Sequence, residues 1–203
     1  GIGVRGMSPN RSAHLSMRQN GHPIAADPLG YPESYYTPPM TMVDEVQWVS
    51  GASALQYGSQ LGGMLNFVMR PAPLGKATMA RWTTSLTGYT PREGTMRGHG
   101  HVFAEASGGG PSTGFLVAVD HKAGSGWRDN ADFESTTATL AFSERREGKR
   151  GVLTFDQRVT LLRRTEQQSG GLTDIQFETD PRRSDRSRNW FEVSWNIASS
   201  DVA

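Results

Sequence analysis

The chain has 203 residues, of which 35% are hydrophobic, and its formal net charge is +1. A mean hydropathy of −0.53 with 24 glycines disfavours a large soluble core but suits a β-barrel, in which only every second strand residue must be apolar. The sequence contains no run of 18 apolar residues, so it predicts no transmembrane helix. The absence of cysteine excludes disulfides and thiolate metal sites, and the near-zero net charge says little about partners. We expect no nucleic-acid partner.

Residues 1–71 form the first predicted unit. Short strands are expected over Gly1–Gly6 and Leu15–Arg18, and the second strand ends at Asn20-Gly21, a dipeptide typical of tight hairpin turns. Residues 26–39 are rich in proline, which breaks regular structure, so this segment is predicted to be an irregular loop. A helical turn is expected over Met40–Asp44.

The stretch that organises this unit runs from Val43 to Pro71, VDEVQWVSGASALQYGSQLGGMLNFVMRP. Valines alternate with other residues up to Val49, and a second apolar run covers Leu65–Met69. Glycines between the two runs supply positive φ or close backbone approach. The pattern predicts two short strands joined by a glycine-rich turn. The prolines that follow Arg70 predict a linker.

From Ala77 onward the sequence predicts six strands of about 9–11 residues, the length that a tilted membrane strand needs. Apolar and polar residues alternate in five of them, and the second strand, His99–Ser107, alternates poorly. The apolar faces are formed by Ala80, Trp82, Thr84 and Leu86; Phe115, Val117 and Val119; Ala138, Leu140 and Phe142; Leu153, Phe155, Val159 and Leu161; and Phe191, Val193, Trp195 and Ile197.

The predicted connections between these strands alternate between long and short segments, with the longest over Arg163–Asn189. Short turns at one end and long loops at the other are typical of outer-membrane barrels, with periplasmic turns and extracellular loops. A β-sandwich has the same period with its faces reversed, and it is the alternative fold for this segment.

Several motifs carry a resemblance to a known family. A strand ending in V-x-G, followed by ASALQYGS and GGMLNFV, resembles the end of the plug domain of TonB-dependent outer-membrane receptors. GIGVRGMSPNR upstream, with GSGWRDNADFE and GGLTD downstream, resembles the ferric dicitrate receptor branch. The resemblance implies an all-β fold, in which 1–71 is the C-terminal part of a plug and 72–203 is the N-terminal part of a barrel. Barrels of this kind have about 22 strands, so we expect an incomplete piece of a longer protein.

The resemblance also implies a function. The expected activity is energised uptake of an iron chelate, a ferric siderophore or a citrate-like complex, across the cell outer membrane. The implied partners are the TonB protein with its inner-membrane motor, the ferric chelate, and outer-membrane lipid and lipopolysaccharide. Another substrate (cobalamin, haem or a sugar), a signal-transducing receptor, and more remotely a passive barrel or adhesin remain as alternatives. No cofactor is implied.

Arg5 lies in V-R-G within an apolar strand, where a charged side chain needs a partner. In the receptors that the chain resembles, this arginine and another before the V-x-G glycine latch the plug to glutamates of the barrel wall. The second position falls at Ser50, which cannot form that ion pair. We therefore expect Arg5 to be the surviving half of a plug latch, with a wall carboxylate beyond residue 203 as its partner. The alternative is an ordinary buried pair.

Candidate ligand contacts come from the plug loops, which the resemblance places in the extracellular vestibule. They are Asn10, Arg11, His14 and Tyr31. Guanidinium groups suit the carboxylates of a citrate-type chelate. The alternative for each residue is that of a solvated loop residue.

His99 and His101 lie on one face of a predicted strand, but two ligands are weak support for a metal site. We interpret them as polar residues of a barrel lumen. The arginines of residues 182–188 have acidic neighbours, which predicts a solvated loop first and an anion or lipopolysaccharide contact second. The chain contains no nucleophile–base pair, no paired carboxylates and no nucleotide motif in a usable context. We therefore expect no enzyme and no metal site.

Overall fold

The computed structural model describes residues 2–3, 6, 12–25, 36–57, 62–90, 96–126, 131–149, 151–167, 174–179 and 190–202. Two β-sheets contain nearly all of the regular structure of these residues, one of four strands and one of six. The predicted all-β fold class is thus confirmed, as are the six antiparallel strands of the second half. We refer to the four-stranded sheet as the plug sheet and to the six-stranded sheet as the wall sheet.

The plug sheet has the strand order β2-β1-β4-β3. Its strands are β1 (Ser16–Gln19), β2 (His22–Pro23), β3 (Val43–Val49) and β4 (Met64–Met69). Strands β1 and β2 form an antiparallel hairpin, and Asn20 and Gly21 between them have φ of 49° and 82°. Positive φ at both positions is the geometry of a type I′ turn, so the hairpin prediction is confirmed.

Strands β3 and β4 are antiparallel, as the sequence predicts, whereas β1 pairs with β4 in parallel. A 3₁₀ helix (Ala52–Tyr57) lies between β3 and β4, and another (Met40–Met42) lies just before β3, at the predicted helical turn. Gly63 has φ of 109°, and a Cβ atom there would lie 2.5 Å from the carbonyl oxygen of Val49. Glycine is therefore required where the chain enters β4.

The wall sheet contains strands in chain order, each antiparallel to the next. They are β5 (Lys76–Tyr89), β6 (Arg97–Gly109), β7 (Thr113–Ser125), β8 (Asp132–Gly148), β9 (Gly151–Gln167) and β10 (Trp190–Val202), with a short helix α1 (Asp174–Thr179) between β9 and β10. The strands have 13 to 17 residues, so the predicted length of 9–11 residues is wrong. The backbone ladder extends beyond the apolar pattern because hydrogen bonding between strands does not require apolar side chains.

The connections confirm the predicted alternation of long and short segments. The short segments 110–112 and 149–150 join strands at one end of the wall sheet, while 90–96, 126–131 and 168–189 join strands at the other end. We call these the short-turn end and the long-loop end. Helix α1 in the last connection was not predicted.

Side chains of the wall sheet alternate between an exposed apolar face and a polar face that is buried in its central part. In β7 and β8, Phe115, Val117, Val119, Leu140 and Phe142 are exposed, whereas Asp120, Thr137, Thr139 and Ser143 are buried. The faces predicted for these strands are confirmed. The same alternation of buried and exposed side chains continues in β6. The sequence pattern of β6 is poor because Phe103 points inward and small residues point outward.

The plug sheet covers the inner face of the wall sheet, and one apolar core joins the two. Plug residues in this core include Leu15, Met17, Tyr36, Met42 and Phe67, and wall residues include Phe103, Leu116, Ala118, Ala141 and Leu162. Within the described ranges, no helix has the length and apolar character needed to cross a membrane.

Candidate functional site

The junction between the plug sheet and the wall sheet is built around Thr41, in the 3₁₀ turn before β3. The Thr41 hydroxyl donates a hydrogen bond of 2.7 Å to Oδ2 of Asp120 on β7. The same carboxylate contacts Nε2 of His101 at 2.7 Å and Nζ of Lys122 at 3.4 Å. Asp120 is only 3% exposed, so these partners provide the polar contacts that a buried carboxylate requires.

Arg70 is the second contact point, at the C-terminal end of β4. Its guanidinium group contacts Oε2 of Glu105 on β6, with Nη2 at 2.8 Å and Nε at 3.2 Å. Arg81 of β5 contacts the same carboxylate at 3.3 Å. Both guanidinium groups also donate to the carbonyl oxygen of Thr41, and both lie over the ring of Phe103, 5.9 and 5.1 Å from its centre. One buried glutamate thus joins a plug residue to two wall strands.

Strands β8 and β9 add further contacts to this junction. Buried Arg158 of β9 donates a hydrogen bond to the carbonyl oxygen of Arg70. The Thr139 hydroxyl of β8 lies 3.5 Å from Sδ of Met42 and 3.2 Å from the hydroxyl of Thr160. We call the set Thr41, Arg70, Arg81, Glu105, Asp120 and Arg158 the clasp. It contacts the 40–42 turn and the end of β4, so it holds the C-terminal part of the plug sheet against four wall strands.

The linker between the two sheets packs against glycines of the wall. A Cβ atom on Gly114 would lie 2.4 Å from the carbonyl oxygen of Pro73, and one on Gly109 would lie at the same distance from that oxygen. The amide of Gly75 donates a 2.8 Å hydrogen bond to Gly110. The missing side chains therefore create the space in which the linker lies, at the short-turn end.

Tyr36 anchors the end of the proline-rich loop. Its hydroxyl donates a 2.9 Å hydrogen bond to Oε1 of Gln19 in β1, and both side chains are buried. Burial raises the pKa of the Tyr36 hydroxyl, and the charge of nearby Arg158 opposes this effect in part. Tyr36 therefore stays neutral and acts as a hydrogen-bond donor.

Four of the predicted functional residues, Arg5, Asn10, Arg11 and Tyr31, lie outside the described residues. His14 is half-buried in the turn before β1, where its carbonyl oxygen accepts a hydrogen bond of 2.9 Å from the amide of Gly62. The predicted ligand contacts and the Arg5 latch therefore stay predictions. Ser50, which takes the place of the second latch arginine, is exposed at the end of β3.

His99 and His101 both point inward, as predicted, but they have different neighbours. His101 contacts Asp120, whereas the ring centre of His99 lies 6.2 Å from that of Phe133. Gly124 pairs with both His99 and Phe133 and leaves room for the two rings to meet. Among the described residues, no three His, Asp or Glu side chains are grouped so that they could hold a metal ion.

A cavity of about 320 Å³ lies between the wall sheet and residues 37–40 of the plug. It shares Asp120 with the clasp and extends towards the long-loop end, where its wall residues include Lys122, Phe133, Ser135 and Arg164. At the short-turn end, a larger cavity of about 660 Å³ is lined by the linker and by Arg70, Arg81 and Glu105.

Sequence reasoning did not identify the clasp. Glu105 lies in the strand whose alternation is poor, and Arg70 was interpreted as part of a linker. Inward-facing charges on adjacent strands were nevertheless visible in the pattern, since Arg81, Asp120 and Arg158 all lie on predicted polar faces. Their shared contacts with Thr41 and Arg70 depend on how the plug sheet sits on the wall, which the alternation does not encode.

The chain is similar in fold to a solved transporter. No protein-family model matches its sequence. The structure of the ferric citrate transporter FecA in its unliganded form matches with a TM-score of 0.72 and 22% sequence identity, over 88% of this chain and 26% of that chain. The ferric enterobactin receptor PfeA matches with a TM-score of 0.49 and 12% identity, over 97% of this chain and 39% of that chain. The chain thus spans about a quarter of the length of FecA and shares the fold of that part.

Proposed function

We propose that this chain is part of a TonB-dependent outer-membrane receptor that takes up an iron chelate. The proposal rests on the polarity of the wall sheet. Its outward side chains are apolar and exposed, while its inward side chains are polar and covered by a second sheet. The sequence motifs at the end of the plug support the same family. The fold likeness to a ferric citrate transporter agrees with it.

In this proposal, 1–71 belongs to a plug domain and 72–203 to a transmembrane barrel in the outer membrane. The apolar outer face contacts lipid, with lipopolysaccharide near the long-loop end. No covalent chemistry is needed, because the work consists of binding a chelate and moving the plug. The long-loop end faces the extracellular medium, where Asn10, Arg11, His14 and Tyr31 contact the ligand. TonB acts from the short-turn end.

The clasp implies that moving the plug requires energy. A plug that is held by buried ionic contacts closes the lumen at rest, and displacement of the held segment requires energy because each broken contact leaves a charge without its partner. An energised partner such as TonB supplies that energy. The predicted Arg5 latch would add to the clasp.

The test is uptake of radiolabelled ferric citrate and of a ferric siderophore by intact cells that carry or lack the protein. We expect saturable uptake that requires the protein, the TonB protein and the proton gradient. A strain without TonB and cells treated with a protonophore are the controls. Uptake that is unaffected by both controls would instead favour a passive barrel, and uptake of cobalamin, haem or a sugar alone would favour a receptor for another substrate.

A further inference from the structure

The inner wall differs between its two ends in how its cations are bound. At the clasp, Arg158 is buried and Arg70 is mostly buried, and their guanidinium groups contact Glu105 and main-chain carbonyl oxygens. Closer to the long-loop end, the side chains of Lys122 and Arg164 are 40% and 41% exposed. Both line the cavity of about 320 Å³, which lies within the size range of small-molecule sites.

Lys122 and Arg164 each have hydrogen-bond donors that their present carboxylate contacts do not use. Asp120 receives hydrogen bonds of 2.7 Å from Thr41 and His101, whereas Lys122 is more distant at 3.4 Å. An ammonium group has three donors and a guanidinium group has five, and Arg164 contacts Glu166 through one of its terminal nitrogens. Both cations can therefore donate to an additional anionic oxygen without losing their present contacts.

The lining also includes the buried carboxylate of Asp120, which contacts Thr41, His101 and Lys122. The remaining lining residues are apolar or neutral. Met40 and the prolines before it form the plug side, Phe133 and Leu162 contribute apolar surface, and Ser135 adds a hydroxyl. Pro38 and Pro39 have restricted backbones and Tyr36 is anchored to Gln19, so the plug side is preorganised. A compact ligand with anionic oxygens next to carbon surface is complementary to this arrangement.

We propose that Lys122 and Arg164 form a wall-side subsite for the anionic oxygens of the transported chelate, with Phe133 and Leu162 against its carbon framework. This inference rests on the proposed function and adds specificity-determining residues to it. The shared ligand chemistry is a carboxylate or phenolate oxygen of an iron chelate. The subsite lies beside the Thr41–Asp120 contact.

The experiment measures binding of radiolabelled ferric citrate and of a ferric catecholate to outer-membrane vesicles without an energy source. Lys122→Gln, Arg164→Gln and the double variant are compared with wild type. Arg163→Gln is the matched control, because Arg163 is adjacent in sequence and lies on the outer face of the same strand. Lys122→Arg keeps the charge. Resistance of the folded protein to unfolding in detergent is measured for every variant.

We expect each charge removal to weaken binding of the preferred chelate by about tenfold, the effect of losing one charge-assisted hydrogen bond. Arg163→Gln should bind as wild type does, and Lys122→Arg, which keeps the charge, should bind more tightly than Lys122→Gln. The chelate that shows the larger loss identifies carboxylate or phenolate oxygens as the ligand atoms. Wild-type affinity in the double variant would overturn the subsite while energised uptake by the wild type still supports the proposed function. A wild type that binds neither chelate and takes up none would contradict both.

Discussion

The two faces of the wall sheet show opposite relations between polarity and exposure. On β8, Leu140 is 56% exposed on the outer face, while its neighbour Thr139 is 1% exposed on the inner face. Water-soluble proteins bury leucine and expose threonine. The difference is what the proposed function requires, in which hydrocarbon covers the outer face and the plug sheet covers the inner face.

The inner face tolerates this burial because its polar groups are paired. Thr139 contacts Met42 and Thr160, and Asp120 contacts Thr41 and His101. A buried polar group without a partner costs about 1–3 kcal/mol, and a pair of groups that satisfy each other avoids this cost. The outer face makes no such demand at Val117, Val119 and Leu140, because aliphatic side chains have no polar groups to satisfy.

A charge placed on the outer face should have the largest effect on stability. Leu140→Arg should cost about 2–4 kcal/mol, because a charge near the middle of the lipid-facing band loses its hydration. The measurement is the folding free energy in lipid vesicles, read from the different mobility of folded and unfolded protein on gels. Leu140→Phe keeps the surface apolar and should fold normally. If both variants are equally stable, the outer face does not contact lipid.

Removing a carboxylate from the inner face tests the clasp. Glu105→Gln should loosen the plug by about 1–3 kcal/mol, because Arg70 and Arg81 lose the buried anion that they share. Passive entry of large antibiotics should increase. Glu147→Gln is the matched control, since Glu147 is 75% exposed and pairs with Arg145 at the surface, where ion pairs contribute little. Equal leakage from the two variants would show that the clasp does not keep the lumen closed.

A smaller change tests the packing of the linker on the inner face. Gly114→Ala should destabilise the protein by about 1–3 kcal/mol, because the new methyl group overlaps the carbonyl oxygen of Pro73. At Gly110 an added Cβ atom meets nothing within 4 Å, so Gly110→Ala should be neutral. Thermal unfolding and proteolysis near Pro73 would measure the effect. Matching results for both alanines would mean that the linker can move without cost.

The smallest expected effect concerns Tyr36. Below about pH 10, where tyrosine in an unfolded chain is neutral, Tyr36→Phe should cost about 1 kcal/mol through its lost hydrogen bond. Burial raises the pKa of Tyr36 in the folded state, so folding keeps this group protonated while the unfolded chain ionises. The contribution of Tyr36 is therefore complete below pH 10 and is lost as the pH rises above it.

Urea unfolding of wild type and Tyr36→Phe at pH 8 and pH 11 would measure this. The stability difference in favour of wild type should shrink or reverse at pH 11. A difference that does not change with pH would mean that Tyr36 ionises equally in the folded and unfolded states.

The amino-acid pattern is sufficient to predict the all-β class, the six antiparallel strands and the outward apolar face of the strands, because a strand has a side-chain period of two whatever its surroundings. It also indicated the Asn20-Gly21 hairpin and the need for glycine before β4, since local backbone sterics decide both. The predicted strand length was wrong, because the backbone hydrogen bonds between strands continue beyond the apolar pattern. Poor alternation in β6 has a tertiary reason, since inward Phe103 lies beneath the guanidinium groups of Arg70 and Arg81.

The contacts among the inward residues depend on the tertiary structure. Thr41 and Asp120 are 79 positions apart, and Arg158 and Arg70 are 88 apart, so no local pattern connects them. The parallel pairing of β1 with β4 and the position of the linker on Gly109 and Gly114 set how the plug sheet faces the wall. These choices depend on the fit of two surfaces, and alternation specifies the face of a residue but not its partner across the lumen.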